Sequence, residues 1–512
     1  MFKGQPKGLI PAALANMGER FGFYIMMAIL LLFLNNKFGF TGSTGAVIYS
    51  VFYALIYVLA LVGGLIADKT KRYKNTILAG LVLMTVGYFL LAIPTKTPVE
   101  NMPLILALTL FGLFSIAFGN GLFKGNLQAV VGQLYDNPEY EDKREVGFQI
   151  FYMFINVGAM FAPFLAVGLR NWWVQTNGFG FNADLPGLCN QFVSGTLTPE
   201  AKVRFVELAN QVTLDGSAVT DLGTFANEYL NVFMEGYHYS FGIAIIAMLI
   251  SLAIFALNKK NLPNPALKKV VKSDTNSVVE VEMDAKEVKQ RIYALFAVFA
   301  VVIFFWFSFH QNGQTLTLFA NDYTRMLNID LGFTTLQGAE VFQAFNPIFV
   351  VFLTPVIIGL FGWFKSKGWE ISTPKKIAIG MGIAATAFAV MALSSIGLPT
   401  TEERIAMGGL ADAARVTPWL LIGTYLILTV AELFISPLGI AFVSKVAPPK
   451  YQGIMQGGWL TATALGNQLL FIGVIFYNSI PLWATWMIFV VACVISMFTM
   501  LFMLKWLERV SE

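Results

Sequence analysis

The chain contains, at residues 15–34, the apolar run ANMGERFGFYIMMAILLLFL. A helix needs about 20 mostly apolar residues to cross a bilayer, and this run has that length. Glu19 and Arg20 nevertheless stand side by side within it. A charged side chain at the middle of a bilayer costs about 2.5–3.5 kcal/mol on insertion scales, so these two must face protein or water rather than lipid. The run therefore predicts a membrane-spanning helix whose polar face is turned toward the interior of a helix bundle.

The composition extends this prediction to the whole chain. Of the 512 residues, 56% are hydrophobic and 12% are charged, whereas an ordinary soluble protein has about 45–50% and about 25%. The mean hydropathy is +0.66. So little charge does not cover the surface of soluble domains of this size, which argues against a soluble enzyme, a disordered protein and a nucleic-acid-binding protein. The net charge of +4 is too small to indicate a partner, and two cysteines do not form a disulfide framework.

Twelve apolar runs have the length of membrane-spanning helices. They occupy residues 13–35, 45–66, 76–94, 104–124, 148–169, 238–257, 292–318, 337–364, 375–396, 418–441, 453–477 and 482–506. Loops rich in polar residues separate them. The sequence therefore predicts an all-α, multi-pass membrane protein with twelve transmembrane helices.

Lysine and arginine are unevenly distributed between alternate loops. If the N-terminus lies inside, the inside segments hold 24 of the 34 basic residues and the outside segments hold 8; the other two, Arg20 and Lys124, fall within apolar runs. Basic residues accumulate in cytoplasmic loops. We therefore expect both termini in the cytoplasm and the chain in the cell (inner) membrane.

A charged segment divides the twelve helices into two groups of six. Residues 258–291 contain Pro263 and Pro265 and join the sixth run to the seventh. We predict an N-terminal bundle over residues 1–257, a cytoplasmic linker over 258–291 and a C-terminal bundle over 292–512. Two bundles of six helices are typical of the major facilitator fold, in which the halves rock around a central site. This step is an analogy at the level of the fold.

One outside segment, residues 171–236, is long and polar, and we treat it as an insertion in the N-terminal bundle. Within it, Thr198, Pro199 and Glu200 resemble the start of a helix, with a capping hydroxyl, a proline in the first turn and an early acid. We expect a short helix after them. The segment as a whole is interpreted as a surface loop, with a role in substrate capture as the alternative.

Polar residues recur within the apolar runs of both halves. They are Asn16, Glu19, Arg20, Lys124, His310 and Glu432. On the first helix, one face at helical spacing carries Asn16, Glu19, Arg20, Phe23, Tyr24 and Met27. Such residues mark transport pathways in membrane proteins. Their alternative role is to pair with one another and hold helices together, although a buried ion pair is weak evidence of stability. Because they are spread over the first, fourth, seventh and tenth helices, we favour a transport pathway.

Several of these residues lie in motifs that resemble those of the proton-dependent oligopeptide transporter family. The resemblance is carried by GERFGFY at 18–24 (family ExxERFxYY), GGLIAD at 63–68, GNGLFKGN at 119–126 (family GxGxxKPN), FYMFINVG at 151–158 (family FYxxINxG), YHYSFG at 237–242, Asn346-Pro347, and Glu432-Leu433 with Ser436-Pro437. Any one of these motifs is weak alone. They follow the family order from the first helix to the eleventh, so the chain resembles an atypical member along nearly its whole length.

The chain departs from the family pattern at several positions, two of which form the outer gate. The first acid of the helix-one motif is Asn16, the second arginine of that helix is Met27, and the helix-seven acid is His310. In the family, that arginine and that acid form an ion pair that helps to close the gate. Losing one partner alone would leave an uncompensated buried charge, so the joint loss predicts a redesigned gate.

The resemblance implies a function and a set of site residues. The implied function is proton-coupled symport of di- and tripeptides by alternating access, without a cofactor, a metal or catalytic residues, in a protein that is a monomer in the lipid bilayer. Arg20 and Lys124 are expected to face the peptide carboxylate, and Glu432 its ammonium group. The other expected binding residues are Tyr24, Tyr57, Asn156, His310, Asn346 and Trp459. The proton is expected on Glu19, His310 or Glu432, and an unperturbed histidine titrates at about pH 6.5.

Other functions stay open on the sequence alone. Plant nitrate-carrying relatives have a histidine at the helix-seven position, and His310 resembles it, although those relatives generally retain the full helix-one motif. The alternatives are therefore the same fold carrying a small anion such as nitrate, or peptide transport with altered proton coupling. A membrane-embedded enzyme or a channel is a third possibility. It is disfavoured because the sequence shows no nucleophile–base arrangement, paired metal ligands or phosphate-binding loop.

Overall fold

A computed structural model of the chain describes residues 3–135, 139–140, 144–263, 284–369, 371–448 and 452–511. Residues 264–283, in the middle of the predicted linker, lie outside the described residues. In chain order the α-helices of the described part are α1 (Leu9–Phe38), α2 (Thr44–Thr70), α3 (Tyr73–Ala92), α4 (Met102–Leu134), α5 (Arg144–Thr176), α6 (Leu185–Ser194), α7 (Pro199–Val212), α8 (Leu222–Asn258), α9 (Ala285–Phe309), α10 (Thr315–Tyr323), α11 (Phe345–Ser366), α12 (Thr373–Ser394), α13 (Thr401–Ala406), α14 (Pro418–Val446), α15 (Gln452–Gln468), α16 (Leu470–Ser479), α17 (Leu482–Phe502) and α18 (Leu504–Ser511). Between α10 and α11, an antiparallel hairpin pairs β1 (Ile329–Asp330) with β2 (Thr335–Leu336).

Within the described residues, twelve helical segments are long and apolar enough to cross a membrane. This confirms the predicted all-α protein with twelve transmembrane helices. We number these segments as spans. Spans 1 to 5 are α1 to α5, span 6 is α8, span 7 is α9 with α10, span 8 is α11 with the 3-10 helix Ala339–Ala344 before it, span 9 is α12, span 10 is α14, span 11 is α15 with α16, and span 12 is α17.

An even number of spans places both chain ends on one side of the bundle, here named the termini side. The connection from α5 to α8 lies on the opposite side, here named the insertion side, and it contains α6 and α7. The predicted short helix is confirmed as α7, because the hydroxyl oxygen of Thr198 accepts a hydrogen bond from the backbone N–H of Ala201 at 3.2 Å. α5 continues to Thr176 and α8 begins at Leu222, so both helices extend into the segment 171–236.

Glycines let α4 lie close against α2 and α3. A Cβ on Gly63 of α2 would lie 2.1 Å from the carbonyl oxygen of Gly121, and a Cβ on Gly119 would lie 2.6 Å from the carbonyl oxygen of Gly80 on α3. A larger residue at either position would push the helices apart, and small residues favour this close packing within membranes. The contact fixes the position of Lys124, which follows Gly121 by about one helical turn.

Buried polar contacts join the two halves on the insertion side. Spans 1–6 form the N-terminal half and spans 7–12 the C-terminal half. The side-chain amide of Gln314, in span 7, donates to the carbonyl oxygen of Ala46 and to the hydroxyl of Ser50 in span 2, each at 2.9 Å. The guanidinium group of Arg170, in span 5, pairs with the carboxylate of Glu340, just before α11. These contacts close the space between the halves on this side.

The insertion also docks on the C-terminal half. Asp184, which precedes α6, accepts a hydrogen bond from Arg415 at 2.6 Å, and its second carboxylate oxygen lies 3.9 Å from the guanidinium group of Arg404. We name these three residues the outer latch. Nearby, the hydroxyl of Thr198 donates to the carbonyl oxygen of Ala406 at 2.6 Å. The insertion therefore links the N-terminal half to α13 and the loop that follows it.

Span 7 is interrupted rather than continuous. The apolar run over 292–318 predicts one helix, but α9 ends at Phe309, residues His310–Gly313 form a 3-10 turn, and α10 begins at Thr315. Span 11 has a smaller irregularity, since the single residue Leu469, which keeps helical backbone angles, separates α15 from α16. Interrupted spans are a common feature of transporter binding sites, since they bring backbone polar groups to the middle of the membrane.

One side chain connects the two breaks. The side-chain amide of Gln311 donates to the carbonyl oxygen of Phe307 at 3.1 Å and to that of Leu470, the first residue of α16, at 3.3 Å. The second contact comes from a part of the chain that is distant in sequence. The interruption therefore depends on tertiary contacts, which explains why the local sequence pattern predicts an unbroken helix.

Candidate transport site

A cavity of about 310 Å³ lies between the two halves. This volume is near the lower end of the range of about 300–1,000 Å³ that small-molecule sites occupy. Its wall is formed by spans 1, 2, 4 and 5 of one half and by spans 7, 8, 10 and 11 of the other. Seven of the predicted site residues belong to this wall, namely Tyr24, Tyr57, Lys124, His310, Asn346, Glu432 and Trp459.

The cavity opens toward the termini side. The inter-half contacts of Gln314 and Arg170 close the insertion side. By contrast, Tyr152, Ile440 and Leu460 belong to the cavity wall and are exposed. These three residues lie on the parts of α5, α14 and α15 that lead to the termini side. A small molecule would therefore reach the cavity from that side in this conformation.

Lys124 and Glu432 bring opposite charges to the two sides of the cavity. Lys124 is half-buried on α4, and its ammonium group lies 5.1 Å from the centre of the Tyr57 ring. Glu432 is half-buried on α14, and its carboxylate accepts a hydrogen bond from the side-chain amide of Asn346 at 2.9 Å. The same amide donates to the hydroxyl of Thr429 at 3.1 Å. The cavity therefore presents one cation from the N-terminal half and one anion from the C-terminal half.

Glu19 and Arg20 form a closed unit behind the cavity wall. Two hydrogen bonds, at 2.5 and 2.7 Å, join the Arg20 guanidinium group to the Glu19 carboxylate. The side-chain amide of Asn120 donates to the same carboxylate at 2.7 Å. The guanidinium carbon lies 4.5 Å from the centre of the Phe23 ring, a distance typical of a cation–π contact. Both charges are satisfied within the N-terminal half.

Three predicted site residues do not belong to the cavity wall. Glu19 and Arg20 are buried behind it, and Asn156 is buried on α5, where its side-chain amide donates to the carbonyl oxygen of Tyr152 at 3.1 Å. The expected roles of these residues in contacting a substrate stay predictions. In this conformation they support the wall rather than form its surface.

His310 lies at the break in span 7 and in the wall of the cavity. Its Nδ1 lies 2.5 Å from the side-chain oxygen of Asn467, and its ring stacks on Trp306 with the ring centres 4.8 Å apart. Because the side-chain oxygen of Asn467 accepts this hydrogen bond, Nδ1 carries the hydrogen. A neutral imidazole then has a free acceptor at Nε2. His310 thus offers the cavity a hydrogen-bond acceptor that could also take up a proton.

Sequence reasoning missed much of the aromatic wall. Beyond the expected Tyr57, span 2 contributes Tyr49 and Tyr53, and span 7 contributes Trp306. The signal for the tyrosines was present, because positions 49, 53 and 57 recur every four residues and so share one face of a helix. Adjacent rings of this series lie with their centres 6.0 Å apart.

Met27 and His310 both belong to the cavity wall. These are the two positions at which the predicted gate departs from the family pattern. Among the inter-half ion pairs of the described residues, the one between Arg170 and Glu340 joins spans 5 and 8 instead. The chemistry at Met27 and His310 is therefore that of a thioether and an imidazole within the site itself.

A family model matches the chain over residues 74–283 and 258–481, and its description is POT family. Among curated relatives, the chain is 28% identical to the peptide transporter YePEPT of Yersinia enterocolitica, over 91% of this chain and 87% of that protein. It is 26% identical to the dipeptide and tripeptide permease B of Xenorhabdus bovienii, over 91% of this chain and 86% of that protein. An uncharacterized transporter of Bacillus subtilis, YclF, is also 26% identical, over 91% and 87%.

Solved structures of transporters have the same fold. The chain superposes on a peptide transporter POT in complex with sulfate with a TM-score of 0.71, at 22% identity, over 100% of this chain and 96% of the other. It superposes on a POT family transporter in complex with 5-aminolevulinic acid with a TM-score of 0.70, at 20% identity, over 100% and 98%. The predicted major facilitator fold is therefore confirmed.

Proposed function

The chain belongs to the POT family, and from this premise we propose that it carries di- and tripeptides across the membrane together with protons. The two characterized relatives named above are a peptide transporter and a dipeptide and tripeptide permease. We place the chain in the cell membrane with both termini in the cytoplasm, because basic residues are concentrated in the loops of the termini side. We propose that it acts there as a monomer, as the family resemblance implies. The insertion side then faces outside.

The observation that carries this proposal is the placement of Lys124 and Glu432 on opposite halves around one cavity. A short peptide has a carboxylate at one end and an ammonium group at the other. Lys124 matches the first and Glu432 the second. A ligand held by both halves binds some arrangements of the halves better than others, and only such a difference in affinity shifts a conformational equilibrium.

The remaining wall suits a ligand whose side chains vary. Tyr24, Tyr57 and Trp459 give aromatic surface, which packs against apolar groups without a fixed hydrogen-bond pattern. Asn346 fixes the carboxylate of Glu432. The two ends of a peptide are thus recognised by charge, while its side chains meet a tolerant surface.

We infer alternating access from the closed and open sides of the molecule. In this conformation the insertion side is sealed and the cavity opens toward the termini side. Rocking of the halves would separate the contacts of Gln314, Arg170 and the outer latch, and would close the termini side. With the termini in the cytoplasm, the described conformation is the one that releases peptide into the cell.

Among the candidate proton carriers, Glu432 has the most suitable surroundings. Its carboxylate is in the cavity wall, where a peptide ammonium group and water can reach it. Glu19 is enclosed and already accepts hydrogen bonds from Arg20 and Asn120. His310 is also in the wall and has a free ring nitrogen, so we place it second.

The site is tested by uptake into proteoliposomes. We expect the purified protein to accumulate a labelled dipeptide in a saturable manner, with more uptake under an inward proton gradient, and Lys124→Ala to abolish it. Lys96→Ala is the matched control, since Lys96 lies in an exposed pair with Glu100 on a loop. Uptake that survives Lys124→Ala would contradict the proposed site. Nitrate uptake that dipeptides do not inhibit would favour the anion alternative.

A further inference from the structure

We propose that the central cavity selects peptides with uncharged side chains, and that Met27 is a residue that sets this selection. The inference rests on the proposed function, because it concerns which members of the peptide class the same site accepts. It is carried by the charges in the cavity wall, by the surroundings of Glu19 and Arg20, and by the position of Met27.

The described part of the cavity wall contains two formal charges, those of Lys124 and Glu432. The two ends of a peptide use both of them. A third charge on the peptide, from an aspartate or a lysine side chain, would then have no opposite charge to pair with. A charge that leaves water without a partner is strongly disfavoured.

Apart from Lys124 and Glu432, the surface that such a side chain would meet carries no formal charge, and much of it is aromatic. Phe23, Tyr53, Trp306 and Phe309 belong to the wall, and Tyr49 contributes a hydroxyl. These groups pack well against apolar side chains, whereas a hydroxyl replaces only part of the hydration of a charge. When the halves close around the peptide, the side chain loses its surrounding water, and the free-energy cost of burying its charge increases.

Arg20 and Glu19 cannot supply the missing partner without loss. Arg20 gives two hydrogen bonds to Glu19, and neither residue belongs to the cavity wall. If Arg20 turned toward an acidic peptide side chain, Glu19 would remain buried with Asn120 as its remaining described hydrogen-bond partner. Breaking a buried pair in this way is costly, because it leaves one charge uncompensated.

Met27 is a position of span 1 at which a charged residue would add its charge to the cavity wall. It belongs to the cavity wall, and it follows Phe23 and Tyr24 at helical spacing, so that all three share one face of α1. Its thioether side chain is flexible and apolar, and it adapts to apolar ligands of different shapes. A basic residue here would place a third charge in the wall, whereas methionine keeps the balance at one cation and one anion.

The test uses peptides that differ in charge but little in size. The purified protein in proteoliposomes takes up labelled alanyl-alanine, and unlabelled peptides compete at about pH 8, where an unperturbed histidine is neutral. Alanyl-asparagine is compared with alanyl-aspartate, and alanyl-methionine with alanyl-lysine. We expect each charged peptide to compete at least about tenfold more weakly than its neutral partner.

The role of Met27 is tested by Met27→Lys. The ratio compared is that of the concentrations at which two peptides inhibit uptake by half. We expect this variant to narrow the ratio between alanyl-aspartate and alanyl-asparagine by several-fold. We expect it to widen the ratio between alanyl-lysine and alanyl-methionine. Met27→Gln is the control, since it adds polarity without charge and should leave both ratios as they are. A variant that takes up alanyl-alanine but keeps the original ratios overturns the role of Met27.

The outcomes separate this inference from the function on which it rests. If no dipeptide is taken up or competes, the proposed function fails and the inference fails with it. If dipeptides are transported but the charged and neutral partners compete equally in the unmodified protein, the inference alone is overturned. The ratios in the unmodified protein test the selection of uncharged side chains even if Met27→Lys does not fold.

Discussion

Glu19 and Arg20 form the most deeply buried ion pair within the described part of the N-terminal half. Glu19 and Arg20 are consecutive, and the carboxylate also accepts a hydrogen bond from Asn120. Both side chains are almost fully buried, at 0% and 6% exposure. The pair lets span 1 carry two charges into the membrane while presenting little net charge to its surroundings.

We expect Glu19→Gln to destabilise the protein by roughly 3–5 kcal/mol, because it leaves the Arg20 guanidinium group buried without an opposite charge. The double variant Glu19→Gln/Arg20→Gln should be less destabilised than this single variant. Thermal unfolding of the detergent-purified proteins checks this. Glu100→Gln is the control, since its pair with Lys96 is exposed and should matter little. A double variant at least as unstable as Glu19→Gln would show that the charge pairing is not the cause.

Glu432 should couple transport to protons. Its side chain lies in the cavity wall and accepts a hydrogen bond from the side-chain amide of Asn346. In Glu432→Gln, the amide oxygen can still accept a hydrogen bond from a peptide ammonium group, but the group no longer ionises. We therefore expect peptide exchange across the membrane to persist at reduced affinity while uphill accumulation is lost. Counterflow and gradient-driven uptake in the same proteoliposomes measure the two activities.

The comparison variant for this prediction is His310→Gln, which removes the other candidate proton carrier in the cavity wall. Loss of accumulation in His310→Gln, with accumulation retained in Glu432→Gln, would assign the proton to the histidine. Retention in both variants would contradict a proton carrier in the cavity wall and point to Glu19.

Sequence alone identified the charged residues of the site better than their arrangement. Lys124 and Glu432 stand out because a charge within an apolar run needs a reason, and both lie in the cavity wall. Arg20 satisfies the same criterion but is turned away to its neighbour Glu19. Hydropathy reveals that such a charge avoids lipid, yet it does not indicate whether the charge meets a cavity or another side chain.

At the level of elements, the insertion is a connection between the halves. α6 and α7 belong to the N-terminal half in sequence, while Asp184 and Thr198 make their contacts with Arg415 and Ala406 of the C-terminal half. The carboxylate of Asp184 is 2% exposed, so its bond with Arg415 is largely shielded from water. Burial raises the pKa of Asp184, and the two arginines oppose this effect.

We expect Asp184→Asn to weaken the outer latch, because it leaves the Arg415 side chain without its buried charge partner. Spin labels on Lys202→Cys in α7 and Glu402→Cys in α13, both exposed positions, report the distance between the insertion and the C-terminal half. The distribution should shift to longer distances in Asp184→Asn and stay unchanged in Asp215→Asn, an exposed aspartate of the same insertion. The native cysteines Cys189 and Cys493 are buried and are replaced beforehand.

A distance distribution that is identical in Asp184→Asn and in the unmodified latch would contradict the proposed role of this carboxylate. Peptide binding, measured in the same variant, distinguishes a misfolded protein from a folded one whose latch is loosened. A folded variant with a loosened latch should still bind peptide, since Asp184 does not belong to the wall of the central cavity.

The sequence predicted the number and type of elements more reliably than their ends. The start of α8 at Leu222 lies 16 residues before the predicted 238, because Asn227, Glu228 and Glu235 interrupt the apolar pattern there. We interpret this polar first part of α8 as projecting beyond the apolar layer, where hydropathy does not detect a helix. The break at His310–Gly313 was missed for another reason, since its stabilising contact comes from span 11.

At the scale of the whole molecule, hydropathy predicts how often the chain crosses the membrane because each crossing is a local property. The relation between the halves is not local. It depends on contacts such as Gln314 with Ala46 and Ser50, which join residues more than 260 positions apart. No periodicity in the sequence encodes such a contact, so the side of closure had to be observed.

Alternating access predicts a reciprocal relation between the two sides. One label pair, Lys202→Cys with Glu402→Cys, reports the insertion side, and a second pair, Lys69→Cys with Lys445→Cys, reports the termini side. Adding dipeptide should populate states in which the first distance lengthens as the second shortens. A population in which both distances are long would indicate a continuous pore, which contradicts a transporter.

The interruption in span 7 and the single-residue joint in span 11 have a mechanical consequence. α10 and α16 are short outer half-helices, each attached to its inner partner at the level of the cavity, with Gln311 bonded across the joint. Hinges of this kind let a short segment tilt while the rest of a domain stays in place. If the chain works by alternating access, we expect these joints to let the outer half-helices settle over a bound molecule before the two halves rock, so that capture and turnover would be two successive events.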